Sequence, residues 1–223
     1  MAACTPEEVM QFNPSLYFGF LTPFYDWLFR ILLPRKKIRD NSVKLLDSTN
    51  SATIAELGSG TGDLTLQLAL NFPQSSISAI DLDTKANAIL NKKISKTSIS
   101  NIKIIVASSD SIPFGDGTLS AIFASLLFCN LPLELKHQTL KEVRRVLKDD
   151  GKLLITEWGP PQSILAKTGF IVLQTIGKSN IKDLKQGMLP FYLKENGFSV
   201  QQKDAVNTLF GTIYFYEAGK LKS

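Results

Sequence analysis

Glu56, Gly58, Gly60, Gly62 and Asp63 crowd into the run IAELGSGTGDLT (54–65), and two more acids, Asp81 and Asp83, follow about 20 residues later. Three glycines at alternate positions strip a turn of side chains and let a ligand approach the backbone closely. A bare tight turn with no ligand is the blander reading of the same residues. The apolar run ATIAEL precedes the glycines and a helix-like segment follows them, so the turn lies where a strand hands over to a helix. Nucleotide-like ligands bind at such junctions, at the carboxyl ends of strands and against the N–H groups of a helix start.

Two ligand classes compete for that turn. Dinucleotides require G-x-G-x-x-G, with the pyrophosphate resting on the helix dipole. Here the spacing is G-x-G-x-G, and Asp63 occupies the place of the third dinucleotide glycine. A carboxylate suits a helix start but repels a pyrophosphate placed there. Glu56 adds a second negative charge just before the turn. Two acids around bare backbone suit a ligand carrying an ammonium and a sulfonium, which describes S-adenosylmethionine and not NAD. Asp81 stands at the spacing from which a carboxylate reaches a ribose diol. Asp83 competes for that role and is also placed to cap the helix TKANAILNKK.

Strand-like runs fall at 52–57, 76–81, 102–107, 119–125 and 152–158, with helix-like segments at 62–71, 84–96 and 133–148 between them. In the last helix Leu140, Val143, Val146 and Leu147 share one side, and Gly151 is read as its stop. The tail reads as a helix near 182–196 followed by two strands that can pair antiparallel, FSVQQKDA and TLFGTIYFYEA. Alternating strands and helices predict an α/β fold: a Rossmann-like three-layer sandwich whose mostly parallel, seven-stranded sheet carries an antiparallel C-terminal strand. One domain is expected, divided into a helical lid (1–45), a cofactor-binding core (46–158) and acceptor-side helices with a C-terminal hairpin (159–223).

The 223 residues are 44% hydrophobic and 20% charged, enough for one domain with a full core. No apolar run reaches the length of a membrane span, and the first residues lack the pattern of a secretion signal. Two cysteines, Cys4 and Cys129, fit a reducing cytoplasm, and with a single histidine they make no zinc site. The net charge of +5 gathers at PRKKIR (34–39), near Lys92, Lys93 and Lys96, and at Lys220 and Lys222. It reads as a solvated basic surface, or as attraction to anionic lipid or substrate. Nucleic acid is not expected as a partner, because no aromatic-plus-basic signature accompanies the charge.

Taken together, ELGSGTGDLT, AIDLD, VASSDSIPFGDGTLSAIFAS and LKEVRRVLKDDGKLLITEW resemble the class I S-adenosylmethionine-dependent methyltransferases, with the ubiquinone/menaquinone biosynthesis methyltransferases as the nearest flavour. The resemblance covers residues 22 to 158 and weakens in the tail. It implies S-adenosylmethionine as cofactor and S-adenosylhomocysteine as product. Gly58, Ser59, Gly60 and Thr61 would surround the methionine part, and Glu56 would anchor that loop and face the ammonium. Asp81 would bind the ribose and Leu82 would pack on the adenine. Ser108 stands where relatives place Asp or Asn for the adenine amine, with Asp110 as a substitute, and Ser109 would offer its N–H to the ring. Ser125 would floor the methionine pocket.

The aromatic stretch 16–40 is the other informative segment. From Phe24 to Leu33 only Asp26 and Arg30 are polar, four apart on one helix face. A helix under the sheet is one reading. The resemblance implies a lid, with Tyr25 over the cofactor. Residues 16–39 would also suit peripheral contact with an anionic membrane. Both functional readings imply a small apolar or lipid-like acceptor, of undetermined identity. The oligomeric state is open. No Ser-His-Asp or Cys-His set is visible, so no catalytic base is assigned; His137, on a helix read as solvated, and Glu157 beside Trp158 are candidates for acceptor contact. Cys129 reads as a core residue or a pocket residue. The rival functions are an NAD-dependent oxidoreductase and a catalytically silent nucleotide-binding protein.

Overall fold

The computed structural model describes residues 34–46, 53–164, 166–167, 182–209 and 211–221. The aromatic segment 16–33, with Tyr25, Asp26 and Arg30, lies outside them, as does Cys4. In chain order the described elements are α1 (Arg35–Val43), β1 (Thr53–Leu57), α2 (Asp63–Asn71), β2 (Ser76–Ile80), α3 (Thr84–Ile94), β3 (Ile102–Ile105) and β4 (Leu119–Ser125). There follow a 3-10 turn (Phe128–Asn130), α4 (Leu133–Val146), β5 (Leu147–Gly159), α5 (Lys182–Lys185), α6 (Leu189–Glu195), β6 (Phe198–Thr208) and β7 (Gly211–Lys220).

The seven strands form one sheet in the order β3-β2-β1-β4-β5-β7-β6. β1 to β5 run parallel, and β7 is antiparallel to both of its neighbours. Successive residues alternate between the two faces, as a pleat requires. On one face Ile54, Ala121, Phe123 and Leu154 meet Leu64 and Leu68 of α2. On the other, Ala55, Leu57, Ile122, Ala124, Leu153 and Ile155 meet Leu140, Val143 and Val146 of α4. Strands covered on both sides read as unbroken apolar runs, which is why β1, β2, β4 and β5 stand out in the sequence. Strand order reverses between β1 and β4, and in open α/β sheets the crevice for ligand lies beyond the carboxyl ends at that point.

Two helix ends differ from the pattern reading. α4 stops at Val146, and the chain is extended from Leu147 onward. The last helical carbonyls are captured from outside: Gly117 N–H donates to Arg145 O at 3.0 Å and Thr118 N–H to Val146 O at 2.9 Å. Leu147 then pairs with Leu119 as a strand residue, so Gly151 falls inside β5. The helix expected over 182–196 is two short pieces, and Pro190 opens the second, where a missing N–H costs nothing. β3 ends at Ile105, two residues short of the expected limit. Among the described residues no helix is long and apolar enough to cross a membrane.

Candidate cofactor site

The carboxyl ends of β3, β2, β1 and β4 lie side by side, and the loops that leave them carry the residues singled out above. The glycine turn is stitched to the neighbouring strand. Gly58 N–H and Ser59 N–H both donate to Ile80 O, at 2.9 and 3.2 Å. Gly60 N–H donates to Asp81 Oδ2 at 2.7 Å, and Asp83 N–H donates to Asp81 Oδ1 at 2.8 Å. Asp81 is thus fixed by one backbone contact per oxygen, and each oxygen keeps a further acceptor site for a ligand hydroxyl. Gly58, Gly60 and Gly62 have φ of +67°, +52° and +76°.

Asp83 resolves as the cap of α3: its Oδ1 accepts Lys85 N–H at 2.8 Å and Ala86 N–H at 3.2 Å. Asp83→Ala is expected to lower stability by about 1 kcal/mol. Chemical denaturation checks this, and an unchanged midpoint would contradict it.

Glu56 is 2% exposed, and its Oε2 accepts the hydroxyl of Thr65 from the first turns of α2. Burial pushes its pKa up to about 8; the Thr65 hydroxyl opposes the rise, and the nearby Asp81 and Asp63 charges add to it. Asp63 behaves differently from the reading in which two acids await a cationic ligand. Lys93 Nζ lies 2.6 Å from Asp63 Oδ1, with Arg35 and Arg39 at 3.7 and 3.9 Å from Oδ2. Burial works against this carboxylate, but the Lys93 hydrogen bond and the three positive charges outweigh it and hold the pKa below the ordinary value. Its charge is compensated from within, so the acids left for a ligand are Glu56 and Asp81. Half of the basic run 34–39 is thereby turned inward: Arg35 and Arg39, four apart on α1, both reach Asp63, and Lys36 pairs with Asp40 at 2.7 Å.

Leu82, at the end of β2, is 51% exposed, and Val106, just past β3, is 58% exposed. Two outward aliphatic side chains at adjacent strand ends offer a wall for a flat apolar ring, and Val106 escaped the sequence reading because nothing marks the strand end there. Ser108 and Ser109 are half-buried. The Ser108 hydroxyl donates to Asp110 Oδ1, and Ser109 Oγ lies 2.8 Å from Thr139 Oγ1 of α4. Ser108 and its candidate substitute Asp110 therefore form one polar pair.

Ser125 closes β4, half-buried. The next residue, Leu126, has φ +53°, a conformation that costs a branched side chain about 1–3 kcal/mol and persists only where its surroundings over-determine it. Its N–H donates to Thr156 O at 2.7 Å, and its carbonyl accepts Asn130 Nδ2 at 2.8 Å and the Cys129 thiol at 3.2 Å. Glu157, fully buried on β5, accepts Cys129 N–H at 3.1 Å and Trp158 N–H at 2.8 Å. Burial pushes its pKa up to about 7, against those hydrogen bonds and the charge of Lys136. Cys129 is a core residue here. His137 is half-buried on α4: its ring meets Tyr192 edge-on at 5.2 Å, and Nδ1 lies 2.9 Å from Asn196 Nδ2.

Two observations test whether these residues fit S-adenosylmethionine. Ser59 Oγ is buried with no hydrogen-bond partner among the described residues, a state that costs free energy unless a ligand or water supplies one. A Cβ built on Gly60 meets nothing within 4 Å among the described residues, so the loop leaves open space beside them. With Asp81 fixed beside Gly60 and a buried carboxyl at Glu56, the site matches a nucleoside that carries an amino-acid group. Tyr25 lies outside the described residues.

Comparison with known proteins agrees with the geometry. A family described as "Methyltransferase domain" matches residues 54–151. A ubiquinone/menaquinone biosynthesis C-methyltransferase from Geotalea uraniireducens is 30% identical over 154 residues, covering 67% of this chain and 65% of the relative. A demethylmenaquinone methyltransferase from Thermotoga maritima is 32% identical over 141 residues, covering 62% of this chain and 58% of the relative. The chain thus spans 65% and 58% of the length of these two curated relatives. Among solved structures, a SAM dependent methyltransferase from Aquifex aeolicus superposes with a TM-score of 0.64 at 17% identity, covering 86% of this chain and 97% of the other, which establishes a shared fold. By sheet order, glycine turn and matched domain, residues 54–151 are similar to a methyltransferase domain, and the chain resembles the ubiquinone/menaquinone biosynthesis C-methyltransferases.

Proposed function

We propose that the protein is a methyltransferase that binds S-adenosylmethionine at the glycine turn and passes its methyl group to a small apolar acceptor. The observation that carries this is the Asp81 carboxylate locked against Gly60 N–H, beside a buried Ser59 hydroxyl left without a partner among the described residues. S-adenosylmethionine, when bound, supplies a methyl group already activated on a sulfonium. The protein's part is then alignment and exclusion of water, effects worth several kcal/mol when well arranged. Asp81 would hold the ribose, Gly58 to Thr61 the methionine portion, Leu82 and Val106 the adenine faces, and the Ser108–Asp110 pair with Ser109 its edge. Ser125 would floor the pocket, Glu56 would face the ammonium, and Tyr25 would cover the ligand from the N-terminal lid. On this division residues 46–158 hold the cofactor and 159–223 wall the acceptor.

The relatives are named as a ubiquinone/menaquinone biosynthesis C-methyltransferase and a demethylmenaquinone methyltransferase. A ring carbon of a quinone-type acceptor is therefore the first class to test here, in the cytoplasm or at a membrane surface. The NAD alternative gains nothing from the site, because Asp63 stands where the dinucleotide pattern needs its third glycine. Calorimetry with S-adenosylhomocysteine checks the cofactor, and Asp81→Ala is expected to weaken binding about 100-fold, as loss of a charge-assisted pair implies. Binding of NADH in preference, or no heat with S-adenosylhomocysteine, would reject the reading. Labelled S-adenosylmethionine incubated with lipid extracts then identifies the acceptor.

A further inference from the structure

Glu157 is a buried acid that methyl transfer as described leaves without a task. It stands on β5, one strand away from the glycine turn's own strand, with β4 between. Its two oxygens point to different parts of the chain: Oε1 accepts from its neighbour Trp158, and Oε2 reaches out of β5 to Cys129 in the 3-10 turn after β4. Just before that turn stands the one non-glycine residue with positive φ among the described residues, Leu126. The Leu126 carbonyl is held by Asn130 and by the thiol of Cys129, the same residue whose N–H Glu157 holds. The next residue, Leu127, bears on the cofactor loop: its Cδ1 lies 2.9 Å from the position a Cβ on Gly58 would take. On its other side Glu157 feels Lys136 of α4, which is 1% exposed and pairs with Asp183 of α5 at 2.6 Å. Tyr216 on β7 faces the same charge.

A strained residue pinned from several directions next to a ligand loop points to a function for the strain. We propose that Glu157 is a positioning residue for cofactor binding: from inside the sheet it holds the 125–130 turn in its strained form and so sets Leu127 against Gly58. This rests on the methyl-transfer reading above.

The test uses the full chain with Cys4→Ser as the parent, so that Cys129 is the only thiol. Two quantities are measured: the affinity for S-adenosylhomocysteine, and the rate at which an aromatic disulfide reagent modifies Cys129. Glu157→Gln is expected to weaken the affinity about tenfold and to speed modification several-fold. Leu126→Gly in the Glu157→Gln background is expected to recover most of the affinity, since glycine takes φ near +53° without a tether. A purely structural role for Glu157 gives no such rescue. Glu157→Gln binding as tightly as the parent, or a double variant as weak as the single, overturns the proposal. Should Glu157→Gln fail to fold, Asn130→Ala removes the exposed tether on Leu126 instead, and the same weakening and the same rescue are required of it. A parent that does not bind S-adenosylhomocysteine rejects the methyl-transfer reading; Cys129 modification, which needs no ligand, then decides alone whether Glu157 holds the turn.

Discussion

Replacing Gly62 by alanine will destabilise the protein by roughly 3 kcal/mol or more, the sum of a left-handed backbone and an overpacked core. A Cβ at this position would lie 2.1 Å from Leu90 Cδ1, 2.8 Å from its Cγ and 2.9 Å from its Cδ2. Leu90 is fully buried on α3 and has no solvent to retreat into. The φ of +76° adds strain that no neighbour can relieve. Against a total stability of about 5–15 kcal/mol this is a large fraction, and for a chain of this size it corresponds to a fall in Tm of about 10 °C. Leu90→Ala opens the needed space, so the double variant should lose less than the two singles combined. Strict additivity would show that the clash is not the cause. Gly60→Ala provides the contrast. It meets no atom of the described residues within 4 Å, so its fold should survive at a cost of about 1 kcal/mol from φ, yet the new methyl group enters the cradle and should weaken S-adenosylhomocysteine at least tenfold. A Gly60→Ala variant that unfolds, or that binds normally, would contradict the assignment of that space to the ligand.

The second large effect is a dependence on pH. Burial raises the pKa of Glu56 to about 8 and that of Glu157 to about 7, both from 4.5 in a solvated chain. Between those values the folded protein keeps protons that the unfolded chain releases. Their stabilisation is fully present below pH 4.5 and is lost progressively as pH rises, until pH reaches 7 for Glu157 and 8 for Glu56, a combined decline of several kcal/mol between pH 5 and pH 9. Glu56→Gln keeps an acceptor for Thr65 and cannot ionise, so its stability curve should flatten above pH 7. Urea midpoints across that range decide the matter, and a parental slope that survives the substitution would refute the assignment. A cationic ligand reverses the preference. An ammonium brought near Glu56 favours the carboxylate, so binding at pH 7 should release about one proton, seen as heats that differ between phosphate and Tris buffers. The Glu56→Gln protein should show no such difference.

Much of this was legible before any coordinates. The buried parallel strands announce themselves as apolar runs, the face of α4 repeats at helical spacing, and Asp83 followed by a helix-forming run predicts its cap. The glycine turn and Asp81 are local patterns whose meaning depends on spacing alone, and the structure joins Gly60 to Asp81 directly. What stayed hidden depends on partners distant in sequence. Asp63 looks like ligand chemistry until α1 and α3 deliver Arg35, Arg39 and Lys93 to it. α4 ends early because Gly117 and Thr118, from the loop before β4, take its last carbonyls. His137 looks solvated on its own helix and is met by Tyr192 and Asn196 from α6. Leu126 carries no mark at all, since leucine ordinarily avoids the conformation it adopts.

The place of β7 governs the order in which the molecule can be assembled. It is the last strand along the chain yet lies between β5 and β6 in the sheet. As the polypeptide leaves the ribosome, the β5 margin of the nascent sheet has no neighbour, and β6 has nothing to join until the segment after it has emerged. An open margin of that kind recruits strands from other molecules. The closing hairpin is therefore a seal added only after β1 to β5 have been made, and the interval before its arrival is when a partly made copy is most exposed to aggregation.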